Sequence, residues 1–140
     1  MKVSQVMHAN PVCVTLNETL AKIAKQMKEG DFGTVVVKEN GKAMGIITDR
    51  DIVIRALATG TAIDKMTAKD VMTKNVESCD ANDTITAAAD KMKSKKVRRL
   101  LILDDKQSPV GILSLGDIAV SAKSDETDSA FDALKGCSKH

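Results

Sequence analysis

The chain has almost no aromatic residues, and this scarcity excludes one class of binding protein. Its 140 residues include two phenylalanines, Phe32 and Phe131, and neither tryptophan nor tyrosine. Proteins that bind single-stranded nucleic acid without sequence preference stack the bases on aromatic side chains. We therefore expect no such surface here, and we expect any bound planar ring to be held mainly by aliphatic groups and backbone.

Strong charge of one sign and long apolar runs are also missing. The formal net charge is +2, which predicts no strong attraction to nucleic acid or to an anionic membrane. No apolar run approaches the roughly 18 residues that indicate a membrane-spanning helix. The first five residues lack the long apolar segment of a signal peptide. We therefore expect a cytoplasmic protein with no nucleic-acid or membrane partner.

Cysteine and histidine are too few for a disulfide framework or a metal centre. The three cysteines are Cys13, Cys79 and Cys137, and no two of them form a C-x-x-C pair. An odd, scattered set of this kind argues against both structural bridges and zinc. The two histidines, His8 and His140, lie near the ends of the chain. No nucleophile and base pattern is present, so we expect no catalytic activity and no bound metal.

What the chain does have is an internal repeat. Residues 6–56 and 71–122 carry the same pattern, at an offset of 65 residues that becomes 66 after one inserted residue. The coinciding pairs include Val6/Val71, Met7/Met72, Asn10/Asn75, Gly45/Gly111 and Asp51/Asp117. This period exceeds the roughly 20–50 residues of solenoid repeats. The pattern therefore predicts two copies of a small domain that pack on each other, since each alone is marginal in size.

Each copy is predicted to fold as a β-α-β-β-α unit, which makes the fold class α+β. Thr19 and Thr84 are N-cap candidates for amphipathic helices that run to about Glu29 and Ser94. Two continuous apolar runs follow in each copy, which predicts strands buried on both faces. Asn40-Gly41 between the first two runs predicts a β-hairpin. The predicted strands are 12–14, 34–37, 44–47, 100–103 and 110–113, and the predicted final helices are 51–58 and 117–122.

The repeat also sets the expected domain boundaries. We expect a first domain at residues 1–60, a linker at 61–67 and a second domain at 68–123. Residues 124–140 are acidic at first and then small and polar. We expect this last segment to be a loosely held tail.

Both copies end in a loop with the pattern G-x-x-S/T-x-x-D. The loop residues are Gly45, Thr48 and Asp51 in copy one and Gly111, Ser114 and Asp117 in copy two. Glycine permits close approach of backbone or ligand, and the N–H groups at a helix start favour an anion such as phosphate. A carboxylate can accept both hydrogen bonds of a ribose cis-diol. Together these groups fit a nucleotide, and the alternative is that hydroxyl and carboxylate only cap a helix.

Residues 3–122 resemble a tandem pair of cystathionine β-synthase (CBS) domains, often called a Bateman module. The resemblance is carried by Val-Met before each first strand, by helices that end in Met-Lys, by the run at 97–104, and by the loops at 45–51 and 111–117. It implies two β-α-β-β-α units packed through their sheets with pseudo-two-fold symmetry and two equivalent clefts. Such modules bind adenosine-containing ligands and regulate an attached or associated protein, without activity of their own.

The resemblance also implies roles for individual residues. Asp51 and Asp117 would hold ribose hydroxyls, with Thr48 and Ser114 near ribose or phosphate. The first strand of each copy would present backbone and aliphatic surface to the adenine, through Pro11 and Val12 in copy one and Val76 and Glu77 in copy two.

Basic residues distinguish the two copies. Arg98 and Arg99 stand where the family has basic residues facing the phosphates, a role that suits the guanidinium fork of donors. Copy one has Gly33-Thr34 at that place, which makes equal occupancy of the two clefts doubtful. Arg50 or Arg55 could supply the missing charge, although Arg55 could equally be a solvated helix residue.

The resemblance implies no obligatory cofactor and a regulatory ligand of the AMP, ADP or ATP class, with NAD or S-adenosylmethionine as alternatives. It also implies a homodimer. The regulated target should be a separate chain, because nothing beyond the pair resembles an effector domain. The rival hypothesis is a ligand-free interaction module with vestigial clefts.

Overall fold

Residues 1–121 are the part of the chain that the computed structural model describes, and they contain both strands and helices. The strands of this part are β1 (His8–Ala9), β2 (Cys13–Thr15), β3 (Thr34–Glu39), β4 (Lys42–Thr48), β5 (Thr73–Lys74), β6 (Ser78–Asp80), β7 (Arg99–Leu103) and β8 (Pro109–Ser114). The helices are α1 (Leu20–Gly30), α2 (Asp49–Arg55), α3 (Ala68–Val71), α4 (Ile85–Lys95) and α5 (Leu115–Ser121). The predicted α+β class with two repeats is confirmed. The predicted tail at 124–140 lies outside the described residues.

The chain divides into two compact units whose bounds differ from the expected domain boundaries. The first-repeat unit is Pro11–Val76, and the second-repeat unit combines Met1–Asn10 with the described residues that follow Val76. The sheet of the first-repeat unit has the order β2-β3-β4-β5, and that of the second-repeat unit has the order β1-β8-β7-β6. The segment before each repeat therefore belongs to the sheet of the other repeat.

Two short antiparallel pairings produce this exchange. In β1, His8 lies opposite Ile112 and Ala9 opposite Gly111 of β8. In β5, the equivalent residues Thr73 and Lys74 lie opposite Ile46 and Gly45 of β4. The β-α-β-β-α prediction lacked both strands, because a strand of two residues shows no periodicity in the sequence.

The long helices form where the capping signals predict them. The Thr19 hydroxyl accepts a hydrogen bond from the backbone N–H of Lys22 (3.3 Å), and the Thr84 hydroxyl accepts one from that of Ala87 (3.1 Å). Both predicted N-caps are thus confirmed. Each helix ends one residue later than predicted, before a residue in the left-handed conformation, Asp31 or Lys96.

The first hairpin also follows the prediction. Asn40 and Gly41 have φ angles of 52° and 79°, and positive φ at both positions is what the tight type I′ turn requires. Strand β3 pairs in parallel with β2 and antiparallel with β4. Val35, Val36 and Val37 are fully buried, as expected for a continuous apolar run.

Each unit has its own apolar core, in which the long helix covers one face of the sheet. The first-repeat core contains Val14, Leu20, Ile23, Met27, Val35, Val37, Ile47 and Ile52. The second-repeat core contains Ile85, Ala88, Ala89, Met92, Leu100, Ile102, Leu113 and Ile118. These residues hold β4 and β8 against the helices, and the candidate loops follow directly at the ends of these two strands.

Candidate functional site

A reciprocal pair of hydrogen bonds closes the loop in each repeat. The Thr48 N–H donates to Oδ2 of Asp51 (2.9 Å), and the Asp51 N–H donates to the Thr48 hydroxyl (3.1 Å). The Ser114 N–H donates to Oδ2 of Asp117 (2.9 Å), and the Asp117 N–H donates to the Ser114 hydroxyl (3.1 Å). This is a capping box with Asp in place of Glu. The helix-capping role weighed for this pattern is therefore present in both copies.

The capping box also corrects the predicted helix starts. Helices α2 and α5 begin at Asp49 and Leu115, two residues before the predicted starts at Asp51 and Asp117. The reason is that Thr48 and Ser114 precede the helices as caps, so that each aspartate lies inside the first turn.

The loop glycines lie against neighbouring segments of the chain. A Cβ atom on Gly45 would collide with the backbone carbonyl oxygen of Thr73 in β5. A Cβ atom on Gly111 would collide with Sδ of Met7 and lie 3.2 Å from the carbonyl oxygen of His8 in β1. The two glycines therefore allow the exchanged strands to lie close to β4 and β8.

One oxygen of each aspartate remains outside the cap. Oδ1 of Asp51 lies 3.9 Å from Nη2 of Arg55, and Oδ1 of Asp117 lies 3.0 Å from Nε2 of His8. The side chains of the two aspartates are 15% and 19% exposed. An ionised carboxylate offers about four acceptor positions, so each can still accept hydrogen bonds from hydroxyl groups in solution.

The strand register places the first residue of each hairpin opposite the capping residue. Arg99 lies opposite Ser114, and Thr34 lies opposite Thr48. The equivalent place beside the loop thus holds an arginine in the second repeat and a threonine in the first. Arg99 is exposed and Arg98 is half-buried. Neither side chain forms a hydrogen bond or ion pair with another residue between positions 1 and 121.

The four candidate adenine-contacting residues precede the strands in which they were predicted to lie. Strands β2 and β6 begin at Cys13 and Ser78, so Pro11, Val12, Val76 and Glu77 form the approach to them, and all four are half-buried. The structure brings Pro11 and Val12 into the same unit as Thr48, but it divides Val76 from Glu77.

Backbone hydrogen bonds fix these approach segments beside the central strands. The carbonyl oxygen of Val12 accepts from the N–H of Val36 (2.9 Å), and that of Glu77 accepts from the N–H of Leu101 (3.0 Å). Continuing the parallel register of β2 and β3 by two residues sets Pro11 beside Thr34. Pro11 therefore lies at the same end of the sheet as Thr48.

The two other arginines of the first repeat have different surroundings. Arg50 is exposed in the first turn of α2, next to the exposed Asp49. Nη1 of Arg55 donates to the carbonyl oxygen of Val71 (2.9 Å) and to the hydroxyl of Thr73 (3.1 Å). Arg55 thus ties α2 to the chain that leads into β5, a contact that sequence reasoning missed.

His8 is the second residue that sequence reasoning missed. It contacts Asp117 across 109 residues of sequence, and it occupies in the second-repeat unit the place that Thr73 occupies in the first. The offset of 65 residues between positions 8 and 73 was the signal that could have found it.

The repeated architecture and the two capped loops lead to comparison with known proteins. The family model described as the CBS domain matches this chain twice, at residues 3–57 and 68–123. The chain belongs to the CBS domain family. The two matches coincide with the repeats, so the capped loops are the glycine-to-aspartate loops of a first and a second CBS repeat.

Known CBS proteins resemble the chain along most of its length. It is 36% identical over 137 residues to the CBS domain-containing protein YhcV of Bacillus subtilis, which covers 97% of this chain and 94% of YhcV. It is 34% identical over 119 residues to the uncharacterized protein MK0525 of Methanopyrus kandleri, which covers 84% of this chain but spans 61% of the length of MK0525.

A solved structure adds a ligand to the comparison. The CBS domain pair of protein MJ0100, crystallised in complex with 5′-methylthioadenosine and S-adenosyl-L-methionine, matches this chain with a TM-score of 0.74. The sequence identity is 27%, and the match covers 86% of this chain and 94% of the MJ0100 chain.

Neither a metal site nor a membrane-spanning helix is found among the described residues of this CBS pair. No group of three His, Cys, Asp or Glu side chains between positions 1 and 121 is arranged to hold a metal ion. Along the same residues, no helix combines the length and the apolar content needed to cross a membrane.

Burial, with a smaller effect of the Asp83 charge, raises the pKa of the Cys79 thiol to about 11. This cysteine is therefore protonated and a poor nucleophile at neutral pH.

Proposed function

We propose that the chain is a regulatory module that binds adenosine-containing ligands of the AMP, ADP and ATP class at its two glycine-to-aspartate loops. The observation that carries this proposal is that the two carboxylate oxygens of each aspartate have different partners. One carboxylate oxygen of Asp51 or Asp117 closes the helix cap, and the other faces a partner that a ligand can replace.

The cap prepares the carboxylate for a ribose. Because Oδ2 is fixed by the backbone N–H of the capping residue, Oδ1 points in one direction and needs little further ordering when a ligand binds. A cis-diol supplies two hydroxyl donors to such an acceptor. Hydrogen bonds to a charged group contribute about 1.5–3 kcal/mol each.

The ligands of the MJ0100 pair support the adenosine part of this proposal. 5′-methylthioadenosine and S-adenosyl-L-methionine share adenine and ribose with AMP, and they carry no phosphate. The shared chemistry is therefore the adenosine group, for which the two aspartates of this chain offer equivalent acceptors.

Phosphate selection is proposed for the second repeat. Arg99 lies opposite the capping Ser114 and has no competing partner among residues 1–121. Its fork of donors is free to hold a phosphate. The first repeat has Thr34 in this place, with the exposed Arg50 as the nearest candidate in the loop. We therefore expect AMP to favour the second repeat over the first, and neutral adenosine compounds to discriminate less.

We further propose that the module forms a homodimer and signals to a separate target protein. Val53, Ile54 and Leu57 are 49–57% exposed on α2 and the turn that follows it, and Val120 on α5 is 83% exposed. Apolar side chains grouped at successive turns of a helix are typical of a surface that another protein covers. A second copy of the chain presents the same side chains, as the isologous interface of a dimer requires.

A thermal-shift screen tests the ligand proposal. AMP, ADP, ATP, NAD, S-adenosylmethionine and 5′-methylthioadenosine are each added at millimolar concentration. A ligand present at about 100 times its Kd adds about 2.7 kcal/mol to the free energy of unfolding, so at least one adenosine compound should raise the Tm by several degrees. Inosine and GMP serve as matched controls for the base. If no compound shifts the Tm, the ligand-free interaction module is the correct function.

A further inference from the structure

His8 lies against the carboxylate that the proposed function assigns to ribose. Nε2 of its imidazole is 3.0 Å from Oδ1 of Asp117, the oxygen that is not used by the helix cap. An ionised carboxylate only accepts hydrogen bonds, so Nε2 carries the proton of this contact. The imidazole is 80% exposed, which leaves it free to swing away when a ligand needs the oxygen.

The first repeat has no counterpart of this contact. The place of His8 is taken by Thr73, whose hydroxyl accepts a hydrogen bond from Arg55. The guanidinium of Arg55 lies 3.9 Å from Oδ1 of Asp51, and it is also held by the carbonyl oxygen of Val71. The partner of Asp51 therefore keeps its charge at every physiological pH, whereas the partner of Asp117 is an imidazole.

We propose that His8 is a pH-dependent gate on the ligand site of the second CBS repeat, weakening adenosine binding when its imidazole is protonated. The inference rests on the proposed function, because it concerns the same oxygen of Asp117. The charge of histidine changes between about pH 5 and pH 8. A protonated imidazole binds a carboxylate more strongly than a neutral one does, so a ribose hydroxyl must displace a stronger competitor in acid.

Few other charges can produce the same dependence. His8 pairs with Ile112 of β8 and contacts Asp117 in the first turn of α5. Strand β8 carries no ionisable side chain, and Asp117 is the ionisable residue of α5. Arg99 lies opposite Ser114 on the next strand, and its charge is constant over this pH range. Among the described residues of the elements that face His8, Asp117 is thus the charged side chain that its imidazole contacts.

The size of the effect follows from the exposure of the imidazole. Ion pairs with an exposed partner change an equilibrium by about two- to fivefold. We therefore expect the Kd for a neutral adenosine compound to rise two- to fivefold when the pH is lowered from about 8 to about 5.5. The ligand must not titrate itself, and 5′-methylthioadenosine carries no group that changes charge in this interval.

Calorimetry with 5′-methylthioadenosine tests the gate. The background is Asp51→Asn, which removes the first-repeat site, and in it binding should weaken two- to fivefold on acidification. Adding His8→Asn should abolish this pH dependence, since asparagine does not titrate. Adding His8→Lys should give the weaker affinity at both pH values, since its charge is permanent.

The outcomes separate the gate from the proposed function. Two outcomes would overturn the gate while leaving adenosine binding intact. One is that acidification weakens binding equally in the Asp51→Asn chain with and without His8→Asn. The other is that binding by the Asp51→Asn chain does not depend on pH. Failure of the unaltered chain to bind any adenosine compound at either pH would refute the proposed function and the gate with it.

Discussion

The exchanged strand β5 predicts that Gly45 does not tolerate a larger residue. A Cβ atom at this position would collide with the carbonyl oxygen of Thr73 and lie 3.3 Å from Sδ of Met72. The sulfur belongs to a flexible side chain that can move, but the carbonyl belongs to the backbone of β5. Gly45→Ala therefore requires the strand itself to shift away from β4.

Two opposing terms decide the size of the effect. Overpacking against a fixed neighbour costs about 1–3 kcal/mol. Alanine also restricts the unfolded chain, which adds about 0.4–1 kcal/mol of stability where its backbone angles are acceptable. Gly45 does not have a positive φ, so this second term applies. We expect a net loss of about 1–2 kcal/mol in the free energy of unfolding.

Urea denaturation followed by circular dichroism measures this loss, and Gly116→Ala is the matched control. Gly116 lies in α5, where the nearest atom to an added Cβ is Oγ of Ser114 at 3.7 Å, an ordinary contact. Alanine there should stabilise the helix by about 0.5–1 kcal/mol. The two variants should thus change stability in opposite directions, by about 3–6 °C in Tm per kcal/mol. Equal stability of Gly45→Ala and the unaltered chain would refute the close approach of β5.

Three further predictions concern phosphate, thiol chemistry and assembly. Arg99→Ala should weaken AMP binding about 10- to 150-fold, since a charged hydrogen bond contributes about 1.5–3 kcal/mol, and it should weaken adenosine binding much less. Lys106→Ala should change neither affinity, and equal losses for both ligands would exclude Arg99 from the phosphate role. Because burial raises the pKa of Cys79 to about 11, iodoacetamide at about pH 8 should modify exposed Cys13 before Cys79 in the folded chain, and peptide mapping that finds the reverse order would contradict this. Light scattering at micromolar concentration should give twice the chain mass of 15.0 kDa, and Ile54→Glu should reduce it; a monomeric mass for the unaltered chain would exclude the dimer.

The features predicted correctly from the sequence are those that depend on neighbouring residues. The hydroxyls of Thr19 and Thr84 cap their helices because the partner N–H groups lie three residues away. Asn40 and Gly41 form the hairpin because both tolerate positive φ. The capping role was also visible in the spacing of Thr48 and Asp51, although the helix starts were placed two residues too late.

The features that the sequence did not reveal depend on residues far apart in the chain. Strands of two residues have no periodicity, so the pairing of His8 with Ile112 could not be predicted. The same pairing places the imidazole of His8 beside Asp117 and the backbone of His8 beside Gly111. The candidate loops were therefore located by the repeat, while the partners of their polar atoms required the three-dimensional structure.

Substitution of the two loop aspartates separates ligand binding from helix capping. Asparagine at position 51 or 117 can still accept the capping N–H through its amide oxygen, but its NH₂ group replaces the second acceptor. Asp51→Asn and Asp117→Asn should therefore remain folded. Asp49→Asn removes the same charge from an exposed position in the same helical turn, and it is the control.

Isothermal titration calorimetry with 5′-methylthioadenosine tests the central claim, that these two carboxylates hold the ribose of an adenosine ligand. We predict two sites per chain, of which Asp51→Asn removes one and Asp117→Asn removes the other, and the double variant should bind no ligand. Asp49→Asn should bind like the unaltered chain. Binding by the double variant with the affinity and stoichiometry of the unaltered chain would show that the two carboxylates do not hold the ribose.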